Sequence, residues 1–134
     1  MRDADSVIFL DVFDVQASAD WWNALAGYTE VHREQHGDIG ERVRLRSPIV
    51  PALDLDLHTC KPRPPVGCTL GSIRQIALRV PNPHAAVAGL VAKLGPSALV
   101  EVARTDSSIT IREGNGYQVL LETSAVAHRP AGSA

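Results

Sequence analysis

A duplicated stretch constrains this chain more than any other feature in it. Gln75 to Gly95, QIALRVPNPHAAVAGLVAKLG, reads as a strand, a cap and a helix. Ile76, Leu78 and Val80 alternate with Gln75, Ala77 and Arg79, the period of a strand buried on one face. Asn82 before Pro83 supplies a helix cap and a first-turn proline. Val87, Leu90, Val91 and Leu94 then share one helical face, and Gly95 stops the helix. Sixty-eight residues upstream, Val7 to Gly27, VIFLDVFDVQASADWWNALAG, has the same layout without a gap. Ile8/Ile76, Leu10/Leu78, Val12/Val80, Ala17/Ala85, Ala24/Ala92 and Gly27/Gly95 are identical, and Asp14 stands at the cap where Asn82 does. The identities fall on the buried strand face, the helix and the stop. The chain therefore reads as two copies of one supersecondary unit.

The remaining segments complete both copies. In the first, the helix begins between Asp14 and Ser18, with Ala17, Trp21, Ala24 and Leu25 as its buried stripe. Trp22, beside Trp21, is expected at a boundary: core edge, subunit contact or pocket wall. Tyr28 to Gln35 is a strand turned by His36-Gly37-Asp38, and Glu41 to Ser47 and Ala52 to Thr59 alternate strictly as two more. In the second copy, Ala98 to Arg104 and Ser108 to Glu113 are strands, and Gly114-Asn115-Gly116 turns the chain into Tyr117 to Thr123. The expected fold is one α+β domain over residues 1–134, built from tandem βαβββ modules that form a curved mixed sheet around a cleft. Module one spans about 6–59, a proline-rich linker 60–71, module two about 72–123, and a flexible tail 124–134.

Bulk properties remove several function classes. With 134 residues the chain can bury a real core. Its net charge of -2 offers no basic excess to neutralise phosphates, so nucleic acid is not an expected partner. The start, MRDADS, is polar, and no apolar run approaches the ~20 residues of a membrane span. No membrane association is expected, and cytoplasm is the expected location. Cys60 and Cys68 have neither metal-site nor redox spacing and read as reduced thiols. There is no GxSxG elbow, and neither cysteine has a nearby base or helix start to activate it.

Strand parity sorts the candidate site residues. Opposite the helix face, module one presents Val7, Phe9, Asp11, Arg42, Arg44, Arg46, Asp54, Asp56 and His58. Module two presents Gln75, Ala77, Arg79, Thr110, Arg112, Gln118, Leu120 and Glu122. Two such faces curved toward each other would line a ligand cleft. Asp11, Asp54, Asp56, His58 and Glu122 are the candidate general bases, with arginines to hold an anion. Asp11 and Arg79 are equivalent in the two halves, and read either as a functional pair across the pseudo-twofold or as a structural ion pair. Asp54, Asp56 and His58 also form a carboxylate-carboxylate-histidine set. Their i, i+2, i+4 spacing spreads them over roughly 13 Å, too far to meet one ion unaided. A polar face paired with the Arg42/Arg44/Arg46 strand is the reading kept.

QIALRVPNPHAAVAGLVAKLG, SADWWNALAGYTEV and EGNGYQVLLE together resemble the vicinal oxygen chelate superfamily, the glyoxalase/bleomycin resistance/dioxygenase family, over residues 7 to 123. The resemblance implies that metal-dependent members hold a divalent cation with four side chains from the first and last strands of each module. The matching positions here are Val7, Gln75, Leu120 and either Asp54 or Asp56. Valine and leucine have no lone pair to donate, so no metal and no other cofactor is expected. By this resemblance the chain is similar to the metal-free, drug-sequestering members that bind an antibiotic between subunits of a dimer. The implied function is a metal-free, homodimeric binder of an antibiotic or related metabolite. The alternative is a lyase, isomerase or cyclase using polar cleft residues on a small carbonyl compound.

Overall fold

A computed structural model describes residues 6–35, 40–59 and 75–124. The expected turn at 36–38, the linker with both cysteines and the tail beyond Ser124 lie outside the described residues. Module one runs β1 (Ser6–Val12), α1 (Val15–Ala26), β2 (Thr29–Gln35), β3 (Glu41–Arg46) and β4 (Leu53–Thr59). Module two repeats it as β5 (Ile76–Val80), α2 (Pro83–Leu94), β6 (Val100–Arg104), β7 (Ser108–Arg112) and β8 (Gln118–Thr123). The sheets have the same order, β1-β4-β3-β2 and β5-β8-β7-β6, with the first strand parallel to the last in each.

The two copies are capped alike. Asp14 Oδ1 accepts from the Ala17 backbone N–H and Asn82 Oδ1 from that of Ala85, both at 3.0 Å. They end differently. Gly27 closes α1 in the left-handed region at φ 70°, ψ 18°, whereas Gly95 is extended in ψ at 164°. Pro96 follows Gly95, and the proline ring disfavours helical ψ at the residue before it. The chain consequently makes a short 3-10 turn at Pro96–Ala98 before β6, where the sequence suggested strand from Ala98.

Alternation on the inner faces builds the core. Leu10, Val12, Val43, Leu45, Leu55 and Leu57 of module one join Ile76, Leu78, Val80, Ile109, Ile111, Val119 and Leu121 of module two in one cluster. Helices α1 and α2 pack on each other between these faces. That packing corrects the expectation for Trp22, which is 1% exposed and fully in the core. Because α1 must cover both its own sheet and the other module, two adjacent positions are buried. Trp22 stands edge-on to Tyr28, and Trp21 Nε1 donates to the Ala98 carbonyl of module two at 2.8 Å. Ala17, expected in the buried stripe, is exposed, and Ser18 and Ala19 are buried instead.

A second contact joins the modules at the end of β1. The Tyr117 hydroxyl donates to the Asp11 carbonyl at 2.9 Å and accepts from the Asp11 N–H at 3.0 Å. Asn115 Oδ1 accepts from the Phe13 N–H at 2.9 Å, and Asn115 Nδ2 donates to Ser18 Oγ at 3.2 Å. Buried Glu113 holds this turn by accepting from the Asn115 and Tyr117 backbone N–H groups. Tyr117→Phe removes both bonds to a backbone amide and carbonyl, at an expected cost of about 1–2 kcal/mol. Urea denaturation measures that loss, and faster hydrogen exchange at Asp11 would place it at this clamp.

Candidate functional site

The polar side of sheet one is assembled by register. Phe9 of β1 lies beside Asp56 of β4, Asp56 beside Arg44 of β3, and Arg44 beside His32 of β2. Arg42 pairs in the same way with His58, and His58 with Asp11. Every module-one candidate therefore stands on one continuous face, opposite the core.

Its chemistry departs from a simple solvated ladder. Asp54 and Asp56 are buried, at 1% and 0% exposure, beneath three guanidinium groups. Arg42 donates from Nε and Nη2 to the two oxygens of Asp56, at 2.9 and 3.0 Å, a fork-on-fork contact. Arg44 Nε donates to Asp56 Oδ2 at 2.9 Å, and Arg46 reaches Asp54 Oδ2 through Nη2 at 2.8 Å. Burial pushes the Asp56 carboxyl up, but hydrogen bonds from Arg42 and Arg44 outweigh it and hold the group below the usual carboxylate range. The bond to Asp56 likewise raises the Arg42 guanidinium. Asp56 is thus a poor general base, being ionised and already occupied, and both oxygens of Asp54 are taken up by Arg46.

His58 is placed differently. Its Nε2 lies 3.0 Å from Asp56 Oδ1, yet the approach is misdirected, and this buried atom makes no hydrogen bond among the described residues. Phe9 covers the edge of the plate, with its ring centre 5.7 Å from that of His58 and 6.0 Å from the Arg42 guanidinium carbon. It is 59% exposed on the outermost strand.

A concavity of about 320 Å³ opens on this face, lined by Val31, His32, Glu34, Arg42, Arg44, Arg46 and Asp56. Sequence reasoning missed the β2 members. A register shift between Glu30 and His32 breaks the strand's alternation: Thr29 pairs with Arg46 before it, and His32 and Glu34 pair with Arg44 and Arg42 after it.

Module two presents a chemically different face. Its middle row runs Ala77, Leu120, Thr110 and Ala103 across β5, β8, β7 and β6. Arg79 and Glu122 lie beside each other in the row to one side, where they border a second concavity with Ser107, Ser108 and Thr123. Arg112 donates to Gln118 in the row to the other side, and Gln75 precedes β5 and is exposed. Among the described residues no strand of one sheet pairs with a strand of the other, so Asp11 and Arg79 stand on outer edges of separate sheets.

The resemblance drawn from the sequence would place a divalent cation at Val7, Gln75, Leu120 and either Asp54 or Asp56, and these residues do not suit one. Val7 and Leu120 carry no donor atom, and the Asp54 and Asp56 oxygens are engaged by arginines. Among the described residues no three His, Cys, Asp or Glu side chains are grouped to hold a metal ion. No helix among them is long and apolar enough to cross a membrane.

No protein-family model matches the sequence, and no curated protein matches it. Solved structures do. A glyoxalase/bleomycin resistance protein from Streptomyces sp. CB03234 superposes with a TM-score of 0.61 at 17% identity, covering 90% of this chain and 100% of its own. TnmS3, an antibiotic binding protein from the same organism, gives 0.61 at 16% identity, with 92% and 96% covered. The fosfomycin resistance protein FosX from Mesorhizobium loti gives 0.63 at 17% identity, with 95% and 96% covered.

Proposed function

Because the chain has the tandem βαβββ fold of the vicinal oxygen chelate superfamily, we propose that it is a metal-independent small-molecule-binding protein. Its ligand is an antibiotic or related metabolite, held in a cleft between modules and released unaltered. One observation carries this reading: of the family's four cation positions three are Val7, Gln75 and Leu120, and the fourth, Asp54 or Asp56, is in either case a carboxylate buried in arginine contacts. Such a face holds a ligand by shape and hydrogen bonds and offers no Lewis acid of its own. The similarity to an antibiotic-binding protein and a fosfomycin resistance protein supports the ligand class.

The cleft itself requires two copies. Within one chain the inner faces share a core and the helices pack together, so the polar faces of the two sheets belong to separate outer surfaces. β1 and β5 are both edge strands, and β1 exposes Val7 and Phe9. An open apolar edge of that kind is stabilised by pairing with another strand. Pairing β1 of one copy with β5 of a second joins sheet one of each to sheet two of its partner, giving two clefts per dimer.

The enzyme reading keeps one point in its favour, the unsatisfied Nε2 of His58 beside a carboxylate. Isothermal titration with an antibiotic panel, followed by mass analysis of the recovered ligand, separates the two readings. One ligand per cleft, recovered unchanged, is the expected result. Conversion of the ligand, abolished in His58→Ala with binding retained, would replace sequestration by catalysis.

A further inference from the structure

The two walls joined in the proposed cleft are equivalent by the repeat and opposite in chemistry. In module two the middle row is Ala77, Leu120, Thr110 and Ala103, which carries no charge. The corresponding row of module one is Phe9, Asp56, Arg44 and His32. A ligand spanning such a cleft meets, at the centre of one wall, an uncharged and largely apolar row flanked by the Arg79/Glu122 and Arg112/Gln118 pairs, and on the other wall a guanidinium plate.

The plate presents cations outward. Its two central carboxylates are buried, whereas the Arg42, Arg44 and Arg46 side chains keep 32, 26 and 30% exposure. Three guanidiniums share those two carboxylates. Arg44, at the centre, has Nε and Nη2 on Asp56, but its Nη1 stands 3.7 Å from Asp54 Oδ2, beyond hydrogen-bond range. Glu34 stands at the rim, 3.8 Å from Arg42 Nη1 and 2.8 Å from His32 Nε2. Anchoring by buried aspartates also immobilises the guanidiniums, so an incoming anion meets donors already oriented. Exposed Phe9, in contact range of Arg42 and His58, extends the plate with an aromatic surface.

We infer that the ligand carries an anionic group on an apolar, ring-containing body. The anion sits on the Arg42 and Arg44 guanidiniums, and the body lies between Phe9 and the Ala77/Leu120 wall of the partner copy. This rests on the small-molecule reading above and narrows its ligand class.

Two fluorescent probes sharing one apolar body test it: 1-anilinonaphthalene-8-sulfonate and uncharged N-phenyl-1-naphthylamine. The sulfonate should bind the wild-type protein at least about ten-fold more tightly, as charge-assisted bonds to a guanidinium require. Arg44→Gln should remove most of that difference and leave the neutral probe unchanged. Arg42 still holds Asp56 in that variant, and Arg44→Lys should recover part of the preference. Comparing the two probes on the wild-type protein needs no variant to fold. Equal affinities, or a preference that survives Arg44→Gln, overturn the anionic assignment while leaving a small-molecule cleft in place. Binding of neither probe overturns both.

Discussion

Replacing Asp56 with alanine is expected to lower the stability of the folded chain at neutral pH by about 3 kcal/mol. The carboxylate is buried and holds two guanidiniums, so its loss leaves Arg42 and Arg44 without their shared counter-charge. The figure sits at the low end for breaking a buried ion pair because both arginines are partly exposed and rehydrate. The effect carries a pH signature. Hydrogen bonds from the arginines hold the folded-state carboxyl below its unfolded value, so the unfolded chain binds the proton more readily. The stabilisation is complete above the unfolded carboxylate range, near about 4, and is lost as pH falls through the lower folded value. Denaturation midpoints of wild type and Asp56→Ala should therefore converge in acid. A gap that stays constant to about pH 2 would assign the loss to packing instead.

Trp22→Ala is expected to cost more, about 4 kcal/mol, within the range for deleting a buried aromatic side chain. The indole is 1% exposed, and it contacts both Trp21 and Tyr28 edge-on, with ring centres 4.9 and 6.1 Å away. Trp22→Phe should recover part of that loss. The adjacent Trp21 answers to a different partner, since its N–H bonds to Ala98 in module two. Trp21→Phe removes the bond and keeps most of the apolar contact, so about 1 kcal/mol is expected from it. Differential scanning calorimetry of the two Trp-to-Phe variants separates core packing from module docking. Equal losses at both positions would contradict the assignment of the two indoles to different neighbours.

The repeat carried most of the fold because its signals are local. Asp14 and Asn82 cap their helices through the same bond to the residue three positions on, and both are readable as single letters before an apolar run. Leu53, Leu55 and Leu57 alternate with Asp54, Asp56 and His58, and strand geometry alone separates the two faces. Parity also put Arg42, Arg44 and Arg46 on the face of the aspartates. It did not reveal that Asp54 and Asp56 would be buried. That depth depends on three guanidiniums folding over them, a property of side-chain reach rather than sequence period. Trp22 was misjudged for a related reason. A period of 3.6 assigns one buried stripe per helix, but α1 packs against its own sheet and against α2 at once. Asn115 and Tyr117 read as parts of a hairpin, and nothing local shows that they reach back to Phe13 and Asp11, about a hundred positions earlier.

Native mass spectrometry of the purified protein tests the account most directly, since subunit number and bound metal are read from one spectrum. The arrangement of edge strands and the arginine-held aspartates predict a dimer without stoichiometric metal. A monomer would remove the second copy that completes the cleft. A dimer carrying one metal ion per cleft would contradict metal-independent binding and make Asp54, Asp56 and His58 the first ligands to replace.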